Sequence, residues 1–485
     1  MTTAAAPNAP LGAPARRAGA VPLPILTAFS LPGLSLAALV VILGVYLPRF
    51  YVGIGLSFAM VAVAIPAVRL LDVWIDPIFG VLMDRTNTPI GRYRPYLILG
   101  APIAMFGIWK LLIPPPHPQA AYLIGWSLVT YVGVSALTLA TSAWSAVLAR
   151  SYDERARVWG FTTGFAVLGS CGILLLPVFT HGAIVLGRAA SMPTICLILV
   201  VTLPIAVAIC AIFTPEKLAA ADVRPVFRLK DYFGALVNAS LLRLVLADLA
   251  LTLGPGTTAP LYVYFFHDAK GFTIAEVSVL LIFYIGAGIV GAPFWGRVAQ
   301  RFSKHRTIQI ACVCYGVAQT ILMIIPRVAP GHKFVDDLPT AIGMAAVGFC
   351  ASAFVLLIRA MIADVVDEVK LHKGVDMTSL FYSLVTTTAK VGAVITTLIS
   401  FTVLSLVHYN GKEGAVNTPQ AVFGLEMCYL FAPIILVFFG GAVFFGYKLD
   451  ARRHAEIRTA LEARASEPGF IAAEESLVGP VIQRA

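Results

Sequence analysis

"TPEKLAAADVRPVFRLKDYFGA", residues 214–235, is the longest charged interruption in a chain that is otherwise a succession of apolar runs. Its neighbours decide what it means. Of 485 residues, 59% are hydrophobic and 12% charged, with a mean hydropathy of +0.87. Soluble domains carry about twice that share of charge. Runs of about 20 apolar residues are long enough to cross a bilayer, and twelve of them fit the chain: 24–48, 53–83, 96–114, 119–149, 157–186, 192–213, 237–266, 273–300, 306–326, 338–369, 376–408 and 419–447. Lipid offers no partner to an open backbone, so each run is expected to be a helix. The quoted stretch divides them six and six, the layout of a carrier built from two repeats.

The reading is therefore an all-α membrane protein of twelve helices in two six-helix bundles. Its parts are a tail (1–23), an amino-terminal bundle (24–213), a linker (214–236), a carboxy-terminal bundle (237–449) and a second tail (450–485). The first tail is rich in Ala and Pro and lacks an apolar core with a cleavage site, which argues against a signal peptide. A short echo supports the repeat: "FGVLMDR" (79–85) closes the second run and "WGRVAQR" (295–301) the eighth.

Charge sets the expected orientation. Counting residues at the ends of the runs, the side that carries both termini holds 24 of the 35 Lys and Arg, and the opposite loops hold seven. By the positive-inside rule both termini are cytoplasmic, in a multi-pass plasma membrane protein, an inner-membrane one in a bacterium. The net charge of +10 is this topological signal plus a basic skin for anionic headgroups, and no nucleic-acid partner is needed to explain it. All seven cysteines fall in apolar runs without zinc-ligand spacing and read as packing residues.

Within "RLLDVWIDPIFGVLMDR" (69–85), Asp72 and Asp76 stand four apart and share one helix face, with Arg69 on the same stripe. A carboxylate at the bilayer centre costs about 3 kcal/mol even on the lenient insertion scale, so such acids are paired and usually functional. Arg69 alone cannot neutralise two of them, and the remaining acid would hold a proton or a metal ion. In the eleventh run Lys390 sits mid-membrane, with Ser383, Thr386 and Thr387 at helical spacing on its side; it is the expected answering cation across the two halves. In the fourth run Thr138, Thr141, Ser142 and Ser145 flank Trp144, suited to hydroxyl bonding and flat stacking or to holding helices together. "GPGTTAP" (254–260) is expected to break the seventh helix. Asp248 is a further intramembrane acid, with Arg243 as its nearest cation in sequence. Near the cytoplasm Asp84, Arg85, Arg92 and Arg94 in one half, with Asp364, Asp367 and Lys370 in the other, are expected to pair as a gate. Only a network of such pairs would hold, because exposed ones contribute little singly.

"RLLDVWIDPIFGVLMDR…GRYRPYLILG", "IADVVDEVKLHKG…SLFYSLVTTTAKVG" and "AWSAVLARSYDERAR" resemble the glycoside-pentoside-hexuronide:cation symporters of the major facilitator superfamily, typified by the melibiose carrier. The similarity runs from about residue 28 to 447. It implies a major facilitator fold that moves a sugar with Na⁺, Li⁺ or H⁺ by alternating access, usually as a monomer. It also implies that Asp72, Asp76 and Lys390 form the cation site with Arg69 beside them. Trp144, Thr141, Ser145, Tyr382, Thr386 and Thr387 would then line the substrate site, and Asp364 and Asp367 would belong to the cytoplasmic gate. The departures bear on ion and substrate. Ile75 replaces an asparagine before the second acid, and Leu137 falls where a helix-four threonine helps hold the ion. A hard cation wants several oxygens, so their loss favours protons. No acid stands near Ser35 and Leu36, and Ala140 and Phe165 replace a sugar-site acid and arginine, so the amino-terminal side of the pocket is less charged.

The expected function is H⁺-coupled symport of a sugar or glycoside, with no cofactor. Two alternatives stay open: Na⁺-coupled transport of a lysophospholipid, for which Asp72 and Asp76 would be the metal ligands, and drug/H⁺ antiport. No nucleotide motif or nucleophile constellation points to an enzyme.

Overall fold

The structure is a computed structural model. It describes residues 21–86, 88–148, 152–180, 184–216, 239–326, 338–373, 378–411 and 415–447, with a few positions from 453 to 460. The two tails and most of the linker fall outside these residues. So do the side chains of Asp84, Lys370, Tyr382, Ser383 and Thr386 inside their helices.

The described residues contain twelve helices long and apolar enough to cross a membrane. In chain order they are α1 (Leu23–Gly53), α2 (Phe58–Arg85), α3 (Arg94–Leu112), α4 (Ala120–Leu148), α5 (Tyr152–Phe179) and α6 (Met192–Phe213). The second half holds α7 (Leu241–Ala269), α8 (Ile274–Phe302), α9 (Lys304–Ile324), α10 (Leu338–Lys373), α11 (Thr378–Leu406) and α12 (Pro419–Ala442).

Local signals set several boundaries. Ser57 caps α2 by accepting from the Met60 amide, and Thr273 and Glu276 close a reciprocal capping box at the start of α8. Small residues set the closest helix contacts. A Cβ on Gly169 would land on the backbone of Leu34, fixing α5 against α1, and one on Gly348 would land on the backbone of Tyr284, fixing α10 against α8.

The expected break in α7 does not occur. The helix runs through Pro255 and Pro260 without interruption. Thr257 and Thr258 donate their hydroxyls to the carbonyls of Gly254 and Pro255, and Ser400 of α11 donates to the carbonyl of Thr257. Hydroxyls and a neighbouring helix thus serve backbone acceptors in the proline-bearing turn. The irregularity comes later, as a wide π-helical turn over Tyr264–Ala269, and α1 has a similar turn at Ile42–Tyr46.

The halves meet mainly where α2 packs on α11 and α5 on α8, with the π-turn of α1 lying against α7. Five of the seven cysteines are buried, Cys171 is partly so and Cys314 is exposed; all are free thiols.

Candidate functional site

Helix α2 separates its faces sharply. Leu70, Leu71, Trp74, Ile78 and Leu82 are exposed, while Asp72 is 6% exposed. The i, i+4 spacing stacks Asp76 one turn below Asp72, and α11 brings Lys390 to both. The ammonium lies 3.0 Å from Asp72 Oδ2 and 2.5 Å from Asp76 Oδ2, and also reaches the Asp72 carbonyl at 3.4 Å. The pairing of Asp72 and Asp76 with Lys390 expected across the two halves is therefore present. Charge-assisted bonds of this length, away from bulk water, are among the strong ones.

Two atoms complete the picture. Ser135 on α4, itself buried, donates its hydroxyl to Asp72 Oδ1 at 3.0 Å. Asp76 Oδ1 is buried and has no hydrogen-bond partner. By formal charge, two carboxylates facing one ammonium leave the cluster one negative charge in excess.

Arg69 does not take part as expected. Its guanidinium lies over the ring of Tyr131, 5.2 Å from the centroid, and Nε has no partner. With Lys390 already bridging the acids, Arg69 is drawn to the aromatic face instead. Ser135 and Tyr131 were missed because a serine or tyrosine in a membrane helix carries no signal until its neighbour across the helix contact is known.

The substrate-side expectations fare differently. Trp144 is fully buried, edge-on to Phe29 at 5.9 Å and under the Arg94 guanidinium at 5.9 Å, so its ring presents no surface for flat stacking in this conformation. Arg94 is held there because one of its arms donates to the carbonyl of Thr214 at the end of α6 and the other to that of Ile90. Thr141 and Ser145 donate to carbonyls of their own helix, at Leu137 and Ser142. Thr387 is exposed. The side chains of Tyr382 and Thr386 lie outside the described residues.

At the termini face, Asp364 and the backbone of Arg92 have partners in their own halves. Asp364 takes both oxygens to Lys304 of α9 at 2.7 Å. The amides of Arg92 and Tyr93 donate to Glu216 Oε1 at 2.5 and 2.8 Å, tying the α2–α3 turn to the start of the linker. Arg85 is exposed and Asp367 half-buried, and the side chain of Asp84 lies outside the described residues.

Asp248 is buried with Oδ2 unpartnered, and the positive field that reaches it comes from Arg359 of α10. Arg243, its sequence neighbour, donates to the carbonyl of Gly446 instead.

Comparison with known proteins places this arrangement. The family model described as MFS/sugar transport protein matches residues 28–451. The isoprimeverose transporter of Lactiplantibacillus pentosus is 26% identical over 422 residues, covering 84% of each chain. The glucuronide carrier protein homolog of Escherichia coli (strain K12) is 21% identical, over 86% of this chain and 91% of the relative. The human sodium-dependent lysophosphatidylcholine symporter 1 is 22% identical, over 82% and 78%. Among solved structures, the nucleoside transporter NupG superposes with a TM-score of 0.65 at 11% identity, over 88% of this chain and all of that one. A bacterial homolog of the lysosomal transporter Spinster, in an inward-facing and unoccupied conformation, gives 0.59 at 12% identity, over 91% and 97%. At that identity the likeness is one of fold.

Proposed function

The chain belongs to the MFS/sugar transport protein family, and from that premise we propose that it is a secondary symporter moving a sugar or glycoside with a proton by alternating access. Relatives named for isoprimeverose and glucuronide transport support the substrate class. The observation that carries the coupling is Asp76 Oδ1, buried and unpartnered beside a lysine that already bridges Asp72 and Asp76.

The mechanism follows from charge. With both acids ionised the cluster holds one negative charge in excess, and one proton on Asp76 removes it. Protonation also removes the charge attraction between Asp76 and Lys390. Because Lys390 belongs to α11 and the acids to α2, the tie that weakens is one between the two halves. Ser135 keeps Asp72 fixed as the partner Lys390 retains. A ligand changes a conformational equilibrium only through its different affinity for the two states, and this cross-half tie gives the proton such a difference. Sodium fits less well, since an ammonium already stands among the oxygens described here, two carboxylates, one hydroxyl and the Asp72 carbonyl.

In this reading the protein works as a monomer in the plasma membrane with both termini cytoplasmic, and it needs no cofactor. The test is the external pH of lightly buffered, sodium-free cells or proteoliposomes on addition of glycosides, pentosides and uronides. Alkalinisation with one of them, absent in Asp76→Asn, is expected; silence across the panel overturns the reading. The human relative favours one second reading, Na⁺-coupled transport of a lysophospholipid. Uptake of lysophosphatidylcholine that depends on added Na⁺, with no response to any sugar, would select it.

A further inference from the structure

Polar and aromatic contacts between the halves include the Lys390 cluster and a knot at the membrane face opposite the termini. In the knot, Arg49 near the end of α1 grips Asp268 near the end of α7 with both arms, at 3.0 and 3.3 Å. The guanidinium is 9% exposed and the carboxylate 24%. Tyr409, just past α11, donates to Asp268 Oδ2 at 2.8 Å. Arg49 also lies over the Tyr264 ring at 5.3 Å.

Directly beside it Tyr46 of α1 and Ser278 of α8 share a hydrogen bond of 3.0 Å, fully buried. Phe58, at the start of α2, packs against Tyr264, Phe401 and Tyr409 of the other half.

Placement gives the knot its meaning. Asp268 sits within the π-turn Tyr264–Ala269, and Arg49 follows the π-turn Ile42–Tyr46 by three residues. These two turns occupy the first helix of each half. A π-turn is a point where the helical ladder is already loosened, and such turns concentrate at functional sites. Asp268 thus sits within one of these turns and Arg49 one helical turn beyond the other. Above them, a cavity of about 300 Å³ opens between the α5–α6 and α7–α8 connections, lined by Arg49, Leu186, Arg188, His267 and Thr273.

We infer that Arg49, Asp268 and Tyr409 form the latch that keeps this face closed, and that transport requires it to open and reform in each cycle. The inference rests on the alternating-access reading for its role in transport, while the closure itself is read from the contacts alone. A bidentate, charge-assisted pair gathered from both halves exists only when the face is shut, so it stabilises that state and no other. Asp268 is the centre of the device, because Arg49 and Tyr409 both engage it. All three are positioning residues, which act on access to the site and not on the substrate.

The test uses the full chain in proteoliposomes or cells, with Ser278→Cys as a reporter beneath the latch. A membrane-impermeant thiol reagent added from the face opposite the termini should label Cys at 278 slowly. Labelling is expected to rise about tenfold or more when Arg49→Ala is added, the factor for losing hydrogen bonds to a charged group. Tyr409→Phe, which removes one bond and no charge, should give a smaller rise. The charge exchange Arg49→Asp with Asp268→Arg should return labelling toward the slow rate, a rescue that general loosening of the protein would not produce. Unchanged labelling in Arg49→Ala and Tyr409→Phe overturns the latch; if Arg49→Ala does not reach the membrane, Tyr409→Phe and Asp268→Asn decide in its place. Labelling that responds as expected in a protein that transports no sugar would keep the latch and remove the symport reading.

Discussion

Replacing Asp76 with Asn removes one negative charge and almost no volume. In the native cluster Asp72, Asp76 and Lys390 sum to one excess negative charge, so the proton-symport reading calls for one proton per cycle. Each pH unit is worth about 1.4 kcal/mol for one proton. A gradient of about two units therefore supports a sugar concentration ratio of about a hundred, since every 1.4 kcal/mol is a factor of ten. In Asp76→Asn, Lys390 keeps Asp72 at 3.0 Å and the cluster is neutral without a proton. Accumulation should fall to the external concentration, while downhill exchange of labelled sugar continues because the pocket keeps its shape. The assay is uptake into sodium-free proteoliposomes with an imposed pH gradient, followed by counterflow with preloaded sugar. Uphill accumulation by the variant equal to the parent's would refute the role of Asp76. A parent ratio rising about a hundredfold per pH unit would show two protons per sugar and refute the charge count.

Lys390→Ala leaves two acids facing each other, and removing one side of a buried pair costs about 3–5 kcal/mol. The melting temperature in detergent should drop, and adding Asp72→Asn should recover part of it. Ser135→Ala deletes the hydroxyl bond to Asp72, a bond to a charged group with a net worth of about 1.5–3 kcal/mol. Proton-driven uptake should fall about tenfold or more, the factor for 1.4 kcal/mol. Thr138→Ala, whose hydroxyl serves only its own helix, should change uptake little. Gly169→Val forces a side chain into the backbone of Leu34, and Gly348→Val does the same at Tyr284. Each should cost at least about 1–3 kcal/mol of overpacking and reduce the folded yield on size-exclusion chromatography. Gly172→Ala, with open space around it, should leave the yield unchanged.

The coarse architecture was legible because lipid imposes a simple rule. Apolar length specifies a helix and a charged interruption specifies a loop, so the twelve spans and the six-and-six division could be read directly. The intramembrane acids were legible for the same reason: Asp72, Asp76 and Lys390 stand out against their surroundings by their cost. Residues without that cost were not. Ser135 is one of many hydroxyls in the chain, and nothing in the sequence marks Arg49 and Asp268, 219 positions apart, as partners. The proline-rich turn in α7 misled because sequence counts the missing amides but not the hydroxyls of Thr257, Thr258 and Ser400, which bond to carbonyls there. What surrounds Trp144 was equally illegible: in this conformation Phe29 and Arg94 lie against its ring.

By itself, then, the sequence determined that this is a twelve-helix membrane protein in two halves with a costly charge cluster in the amino-terminal one. Composition and spacing along a single helix are enough for that, since both act locally. Tertiary structure alone decided which charges meet. It brought Lys390 to two acids more than 300 positions earlier, turned Arg69 away to Tyr131, gave Asp364 to Lys304, and joined Arg49 to Asp268 across the halves. Each choice is a competition among partners at similar distance, and a difference of an ångström or two in a medium of low dielectric settles it.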